Sequence, residues 1–313
     1  MKNKLRLLAL LIISLCCFSL FCACDNKENQ KTSIICSTYA EYDWVSNILG
    51  EQKENYSLTL LTDNGKDLHS YQPSIADVTK ISRADMFIYV GGESTSWVEK
   101  ALKNKQNKNM IVVNLLNILG DNAQIEDVFE DQEDKDEIEY DEHVWLSLKN
   151  AKLFVTEITK SLKQLDSENA STYETNATNY IARIQALDNN YTNQIDNCRV
   201  KSLVFGDRFP FKYLATDYNL TYYAAFNGCS AETEASFSKI TSLAQKVDEL
   251  GLKAVVKIET SDGKIANQII ENTKNKNQKL LTLNSMQKTD TKSTQSYLAI
   301  MTTNLSTLCE ALS

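Results

Sequence analysis

Only two histidines occur in the 313 residues, His69 and His143, so any imidazole chemistry uses one or both. His69 sits in Asp67-Leu-His-Ser-Tyr-Gln-Pro-Ser74 and His143 in Asp141-Glu-His-Val-Trp-Leu146. Neither lies inside an apolar periodic stripe. A lone loop histidine is more often structural than ligating; a pair in an otherwise histidine-free chain shifts that balance toward a shared site. Neutral imidazole combined with carboxylate suits Zn²⁺ or Mn²⁺, and such a site needs about four donors. Oxygen donors are available at Asp207, in Phe205-Gly-Asp-Arg-Phe-Pro210, and at Glu259, in Val255-Val-Lys-Ile-Glu-Thr-Ser261. Asp207 has a competing reading as an ion-pair partner of Arg208 or Arg83, or as a helix N-cap. Glu232 and Glu234, in Gly228-Cys-Ser-Ala-Glu-Thr-Glu-Ala-Ser236, read as first-turn acids near a helix start.

The elements that must position these residues alternate. Runs 33–39, 56–62, 86–90 and 110–113 are rich in Ile, Val and Tyr and predict strands; 40–49, 75–82 and 94–103 carry helical spacing, with Ser94 and Thr95 as N-caps. The second half repeats the pattern, with strands at 202–205, 220–225, 254–258 and 279–283. Its helices are expected at 211–218, 237–250, 262–273 and 294–312. Strand–helix alternation argues parallel sheets, hence an α/β protein of two lobes, 33–146 and 198–313. Between them, Ala151, Phe154, Val155, Ile158, Leu162 and Leu165 follow three-and-four spacing. The series resumes from Tyr173 through Ala177, Tyr180, Ile181, Ile184, Leu187 and Tyr191 to Ile195. This predicts a stiff connecting helix over 147–197, interrupted at 166–169 and restarted with Ser167 as cap. Loops at strand ends of open α/β sheets are where ligands bind, and both histidines fall in such loops.

A net charge of −8 disfavours a nucleic-acid-binding surface, and 9 Gly with 2 Pro disfavour a turn-rich all-β fold. The acidity is local. Residues 126–142 hold eleven acids and one Lys, a net −10 that leaves the rest of the chain slightly positive. Such a block repels itself and reads as a solvated loop, or as a cation-attracting antenna running into His143. Cys36, Cys198, Cys229 and Cys309 lack metal-finger or redox spacing. They form two disulfides or remain buried thiols; thiols are preferred because nothing pairs them by spacing.

Lys2, Lys4 and Arg6 precede an apolar run over 7–23 that ends in Phe21-Cys-Ala-Cys24 and a polar stretch. This is the layout of a leader, and a small residue before a cysteine resembles a bacterial lipoprotein cleavage site. The leader is 1–23, Cys24 the lipidated residue and 24–32 the tether; two acyl chains anchor where one is marginal. A plain N-terminal membrane anchor is the other reading. Both put the remainder outside the cytoplasm.

The two histidine motifs together resemble the zinc- and manganese-binding solute-binding lipoproteins of bacterial metal ABC transporters. Asp67-Leu-His-Ser-Tyr-Gln-Pro-Ser74 looks like their first metal-ligand motif, Asp141-Glu-His-Val-Trp-Leu-Ser-Leu-Lys-Asn-Ala151 like their second. Gly228–Ser236 is similar to a turn that follows their third ligand. The resemblance spans the mature chain and implies two α/β lobes joined by a long rigid helix, with the ion in the cleft. It carries His69 and His143 over as ligands and matches Glu259 to the last acidic one. At the third ligand it puts Gly206, which has no donor, so Asp207 is the substitute, or water fills the position. The acidic stretch stands where zinc-type members often have a histidine-rich loop. Zn²⁺ is preferred over Mn²⁺, since a glutamate in the last position resembles zinc-type members and affinity order runs the same way. The implied role is capture of the ion by a lipid-anchored monomer for an ABC permease, without enzyme activity. An extracytoplasmic zinc hydrolase and a surface adhesin on the same scaffold are the alternatives.

Overall fold

Parallel strands cannot be joined by a tight turn, so each needs a crossover, and an amphipathic helix both makes the connection and covers the sheet. The computed structural model describes residues 31–126, 139–229 and 234–313. The leader, Cys24, residues 127–138 of the acidic run and Glu232 lie outside the described residues. Strands β1 (Thr32–Cys36), β2 (Tyr56–Leu60), β3 (Met86–Tyr89) and β4 (Ile111–Asn114) form one parallel sheet in the order β2-β1-β3-β4. Helices α1 (Tyr39–Leu49), α2 (Ile75–Arg83), α3 (Trp97–Lys103) and α4 (Leu115–Leu119) accompany it. The second sheet repeats the topology as β6-β5-β7-β8, from β5 (Ser202–Phe209), β6 (Thr221–Asn227), β7 (Ala254–Ile258) and β8 (Lys279–Leu283).

The stretch 147–197 holds two helices rather than one: α5 (Leu148–Leu165) and α6 (Ala170–Asp196). Lys152 Nζ meets Asp188 Oδ2 at 2.9 Å and Lys163 Nζ meets Glu174 Oε2 at 2.5 Å, so the pair runs antiparallel as a hairpin. The corner is Asp166, not a Ser167 cap. Its Oδ2 accepts from the hydroxyls of Tyr56 (2.7 Å) and Tyr173 (2.6 Å) and from the Asn169 amide (2.8 Å). The hairpin is thereby tied to β2. The apolar stripes read from the sequence are the buried faces: Phe154, Val155, Ile158 and Leu162 on α5, and Tyr173, Ile184, Tyr191 and Ile195 on α6, are fully buried. Each contributes roughly 1.5–3 kcal/mol of apolar burial.

The second lobe is completed by α7 (Lys212–Asp217), α8 (Phe237–Leu250), α9 (Lys264–Asn272) and α10 (Tyr297–Ala311). Serines cap α5, α8 and α10: Ser147, Ser236 and Ser296 accept from the third helical N–H of each. One core cluster runs through both lobes, from Ile34 and Trp44 through Phe154 and Tyr173 to Phe205 and Met301. Smaller clusters sit on the outer faces, around Phe87 and Val98 in one lobe and Val204 and Val247 in the other. Two expectations move. The strand at 202 continues to Phe209 with a register shift between Phe205 and Arg208, so Asp207 lies within β5 rather than past it. The strand at 33 stops at Cys36, because Thr38 turns the chain into α1 with its N–H donated to Glu41 Oε2 (3.1 Å).

Candidate metal centre

His69, Arg208, Cys229 and Gln287 come from the C-terminal ends of strands or the loops that follow them, the position where open parallel sheets bind ligands, and His143 joins them from the segment that leads into α5. His69 belongs to a 3-10 turn, Leu68–Ser70, that Asp67 starts by accepting the His69 N–H at 3.0 Å. His143 precedes a second 3-10 turn, Val144–Leu146, whose residues are buried. Trp145 pins that turn, donating from Nε1 to Ser285 O (2.9 Å) while its carbonyl accepts from Tyr297 Oη (2.8 Å).

The two rings meet. His69 Nε2 lies 2.9 Å from His143 Nε2. Their far nitrogens are held: His143 Nδ1 by Asp141 Oδ1 at 3.2 Å, and His69 Nδ1 by Ser94 Oγ at 2.8 Å and Glu142 Oε2 at 3.5 Å. The acceptors at Nδ1 assign the ring protons there and leave both Nε2 lone pairs facing one point, the arrangement that carboxylates give to metal-ligating imidazoles. Burial keeps both rings neutral. It lowers the His69 pKa to about 3, with His143 and Arg208 adding to the effect, and the His143 pKa to about 4, with Arg208 again opposing the charged form. Ser94, expected as a helix cap, instead lies in a 3-10 turn before α3, where its Oγ accepts from His69 Nδ1.

On the second-lobe side stand two residues that the sequence did not suggest. Gln287 Nε2 reaches His143 Nε2 at 2.6 Å and His69 Nε2 at 3.1 Å. Arg208 Nη2 donates to Gln287 Oε1 at 3.3 Å and to Asp67 Oδ2 at 3.2 Å. The β5 residue that arrives at the centre is therefore a cation. Gly206, where the resemblance expected a ligand, faces the opposite way; a Cβ there would overlap the Ala266 backbone on α9.

Among the described residues, the His, Cys and carboxylate donors that gather within 4.8 Å of one another are His69, His143 and Cys229. Asp207 and Glu259 lie outside that group. Asp207 Oδ1 accepts the Arg208 N–H at 2.8 Å. Glu259 takes the Ser285 N–H (2.7 Å) and hydroxyl (2.9 Å), and burial raises its pKa. Glu234 is exposed. The four cysteines carry no disulfide, and only Cys36 is fully buried.

Cys229 follows Gly228 at the end of β6, and the turn packs directly on His143. A Cβ on Gly228 would fall 3.1 Å from His143 Cε1 and 2.8 Å from Phe209 O, so only glycine admits this approach. Glu126 brackets the turn, accepting from Gly228 N at 2.9 Å and lying 3.5 Å from Cys229 Sγ. Burial raises the Glu126 and Glu142 pKa values to about 7 and, with the Glu126 carboxylate, pushes the Cys229 thiol up. A cavity of about 550 Å³ opens on His69 and Cys229 past Glu93, Glu126, Glu139 and Glu142. A path lined this way concentrates cations.

Comparison with known proteins agrees with this geometry. Residues 34–311 match the family model described as zinc-uptake complex component A, periplasmic. The chain is 30% identical over 312 residues to the zinc-binding lipoprotein AdcA of Streptococcus pneumoniae, covering 97% of this chain and 60% of that protein. It is 26% identical to the high-affinity zinc uptake system protein ZnuA of Bacillus subtilis, covering 96% of this chain and 97% of that one. Its fold is similar to the crystal structure of the Zn(II)-bound ZnuA-like domain of S. pneumoniae AdcA, with a TM-score of 0.71 and 27% identity over 90% of this chain and 99% of that domain. This chain thus spans about 60% of the length of the AdcA relative.

Proposed function

This chain belongs to the zinc-uptake component A family, and from that premise we propose that it captures a divalent metal ion outside the cytoplasm and delivers it to the permease of an ABC importer. Zn²⁺ is the preferred ion and Mn²⁺ the alternative. The observation that carries this reading is the pair of Nε2 atoms 2.9 Å apart, with both Nδ1 atoms held by oxygen acceptors. Two nitrogens on a tetrahedral zinc, each about 2.0–2.1 Å from the ion, stand roughly 3.3 Å apart. The imidazoles are therefore close to ligating separation. Neutral rings at physiological pH are what a transition metal requires. His69 and His143 are the proposed core ligands; Asp207 and Glu259, the carboxylates proposed from the sequence, would reach the ion only by leaving the Arg208 N–H and the Ser285 donors that hold them here. A diacylated Cys24 holds the monomer at the membrane facing its permease.

Calorimetric titration of the protein with Zn²⁺ tests the reading. The wild type binds one equivalent, and His69→Ala and His143→Ala each weaken binding by about 100-fold or more. Unchanged affinity in both variants removes the proposal.

A further inference from the structure

We propose that Cys229 is a ligand of the captured ion as thiolate, which makes the centre an imidazole–thiolate site rather than the imidazole–carboxylate site that the sequence suggests. The inference deepens the metal-capture reading and rests on it.

Geometry is the first argument. Cys229 Sγ and one ring nitrogen of each imidazole all lie within 4.8 Å of one another. A tetrahedral zinc with Zn–N near 2.0–2.1 Å and Zn–S near 2.3 Å needs N–S separations of roughly 3.6 Å. An adjustment of about 1 Å in side chains closes the site. The Cys229 backbone is fixed for this by Gly228, whose missing Cβ lets the turn rest on the His143 ring, and by the Gly228 N–H bond to Glu126 at 2.9 Å.

Charge is the second. On the second-lobe side the groups that face the imidazoles are the neutral Gln287 amide and, behind it, the Arg208 guanidinium. Two neutral imidazoles beside a cation hold a dication poorly. An anionic donor on the cavity side offsets that, and among the described residues Cys229 is the one whose donor atom groups with both imidazoles at once. Binding is a proton exchange: the ion forms a bond to Sγ, the S–H bond breaks, and the proton leaves to solvent through the cavity. Thiolate is a soft donor, so this ligand also selects Zn²⁺ over Mn²⁺.

Cobalt is the probe. Titration of the wild-type protein with Co²⁺ is expected to give visible d–d bands together with a near-ultraviolet sulfur-to-cobalt charge-transfer band, and Cys229→Ser to lose the second while keeping the first. The same substitution is expected to weaken Zn²⁺ about 10–100-fold. A wild-type spectrum with d–d bands but no charge-transfer band overturns the thiolate assignment and leaves metal capture standing. Failure of the wild type to bind Co²⁺ or Zn²⁺ overturns both. Should Cys229→Ser fail to fold, alkylation of the wild type read by peptide mapping decides: Zn²⁺ is expected to shield Cys229 and not Cys198 or Cys309, and equal labelling with and without Zn²⁺ overturns the assignment.

Discussion

Arg208 donates to Gln287 Oε1 at 3.3 Å, and that bond decides which end of the carboxamide meets the two imidazoles. With the oxygen turned to the guanidinium, the amide nitrogen faces both Nε2 lone pairs, at 2.6 and 3.1 Å. The free protein thus satisfies its buried acceptors with its own donor, and an entering ion must displace it.

Gln287→Glu replaces that donor with an anionic oxygen that still pairs with Arg208. Zinc affinity is expected to rise by about tenfold or more, measured by competition with a chromophoric chelator. Weaker binding would show that the amide itself assists the ion.

Arg208→Met separates stability from affinity. Losing the guanidinium leaves the buried Asp67 carboxylate without its 3.2 Å partner, at a cost of about 1–3 kcal/mol, and lowers the melting temperature by several degrees. Removing a positive charge beside the imidazoles is expected to tighten zinc about tenfold at the same time. Parallel loss of both properties would contradict this account.

Asp141 acts through His143: it accepts the His143 N–H at 2.8 Å and faces Nδ1 at 3.2 Å. Asp141→Asn is expected to weaken zinc 10–100-fold with the secondary structure by circular dichroism intact. An unchanged affinity would mean the imidazole needs no such orientation.

Acid stability has a specific source at the hairpin corner. Hydrogen bonds from Tyr173, Asn169 and Tyr56 lower the Asp166 pKa from its ordinary 3.8 to about 2. A carboxyl depressed in the folded state stabilises fully above its unfolded value and loses that contribution as pH falls toward the folded one. The stability gap between wild type and Asp166→Asn is therefore expected to be constant above pH 5 and to shrink between about pH 4 and 2, read by denaturant titration. A gap that persists at pH 2 would assign the effect to packing alone.

Much of the architecture was legible because its signals are periodic. The α5 and α6 stripes and the eight strands follow from spacing and residue type, which local physics fixes, whereas the caps expected at Ser94 and Ser167 do not form. The hairpin was not legible, since the spacing on both sides of Asp166 is equally helical and only the long-range pairs Lys152–Asp188 and Lys163–Glu174 reveal the reversal. The histidines stood out by scarcity and by their acidic neighbours. Arg208 and Gln287 did not: neither is an ordinary metal donor, and a register shift inside β5 decides that Arg208 rather than Asp207 arrives at the centre. Cys229 was visible in its Gly-Cys-Ser turn but carried no spacing that joined it to a histidine 86 residues earlier. That junction belongs to tertiary structure.

The inner faces of both sheets share one interior with α5 and α6, from Ile34 to Met301. Swinging the halves apart would tear open that dense packing and forfeit its dispersion contacts wholesale. Under the proposed capture role, gripping and letting go at the histidine pair are thereby left to the rim: a few side chains shuffle at the mouth while the frame behind them stays shut.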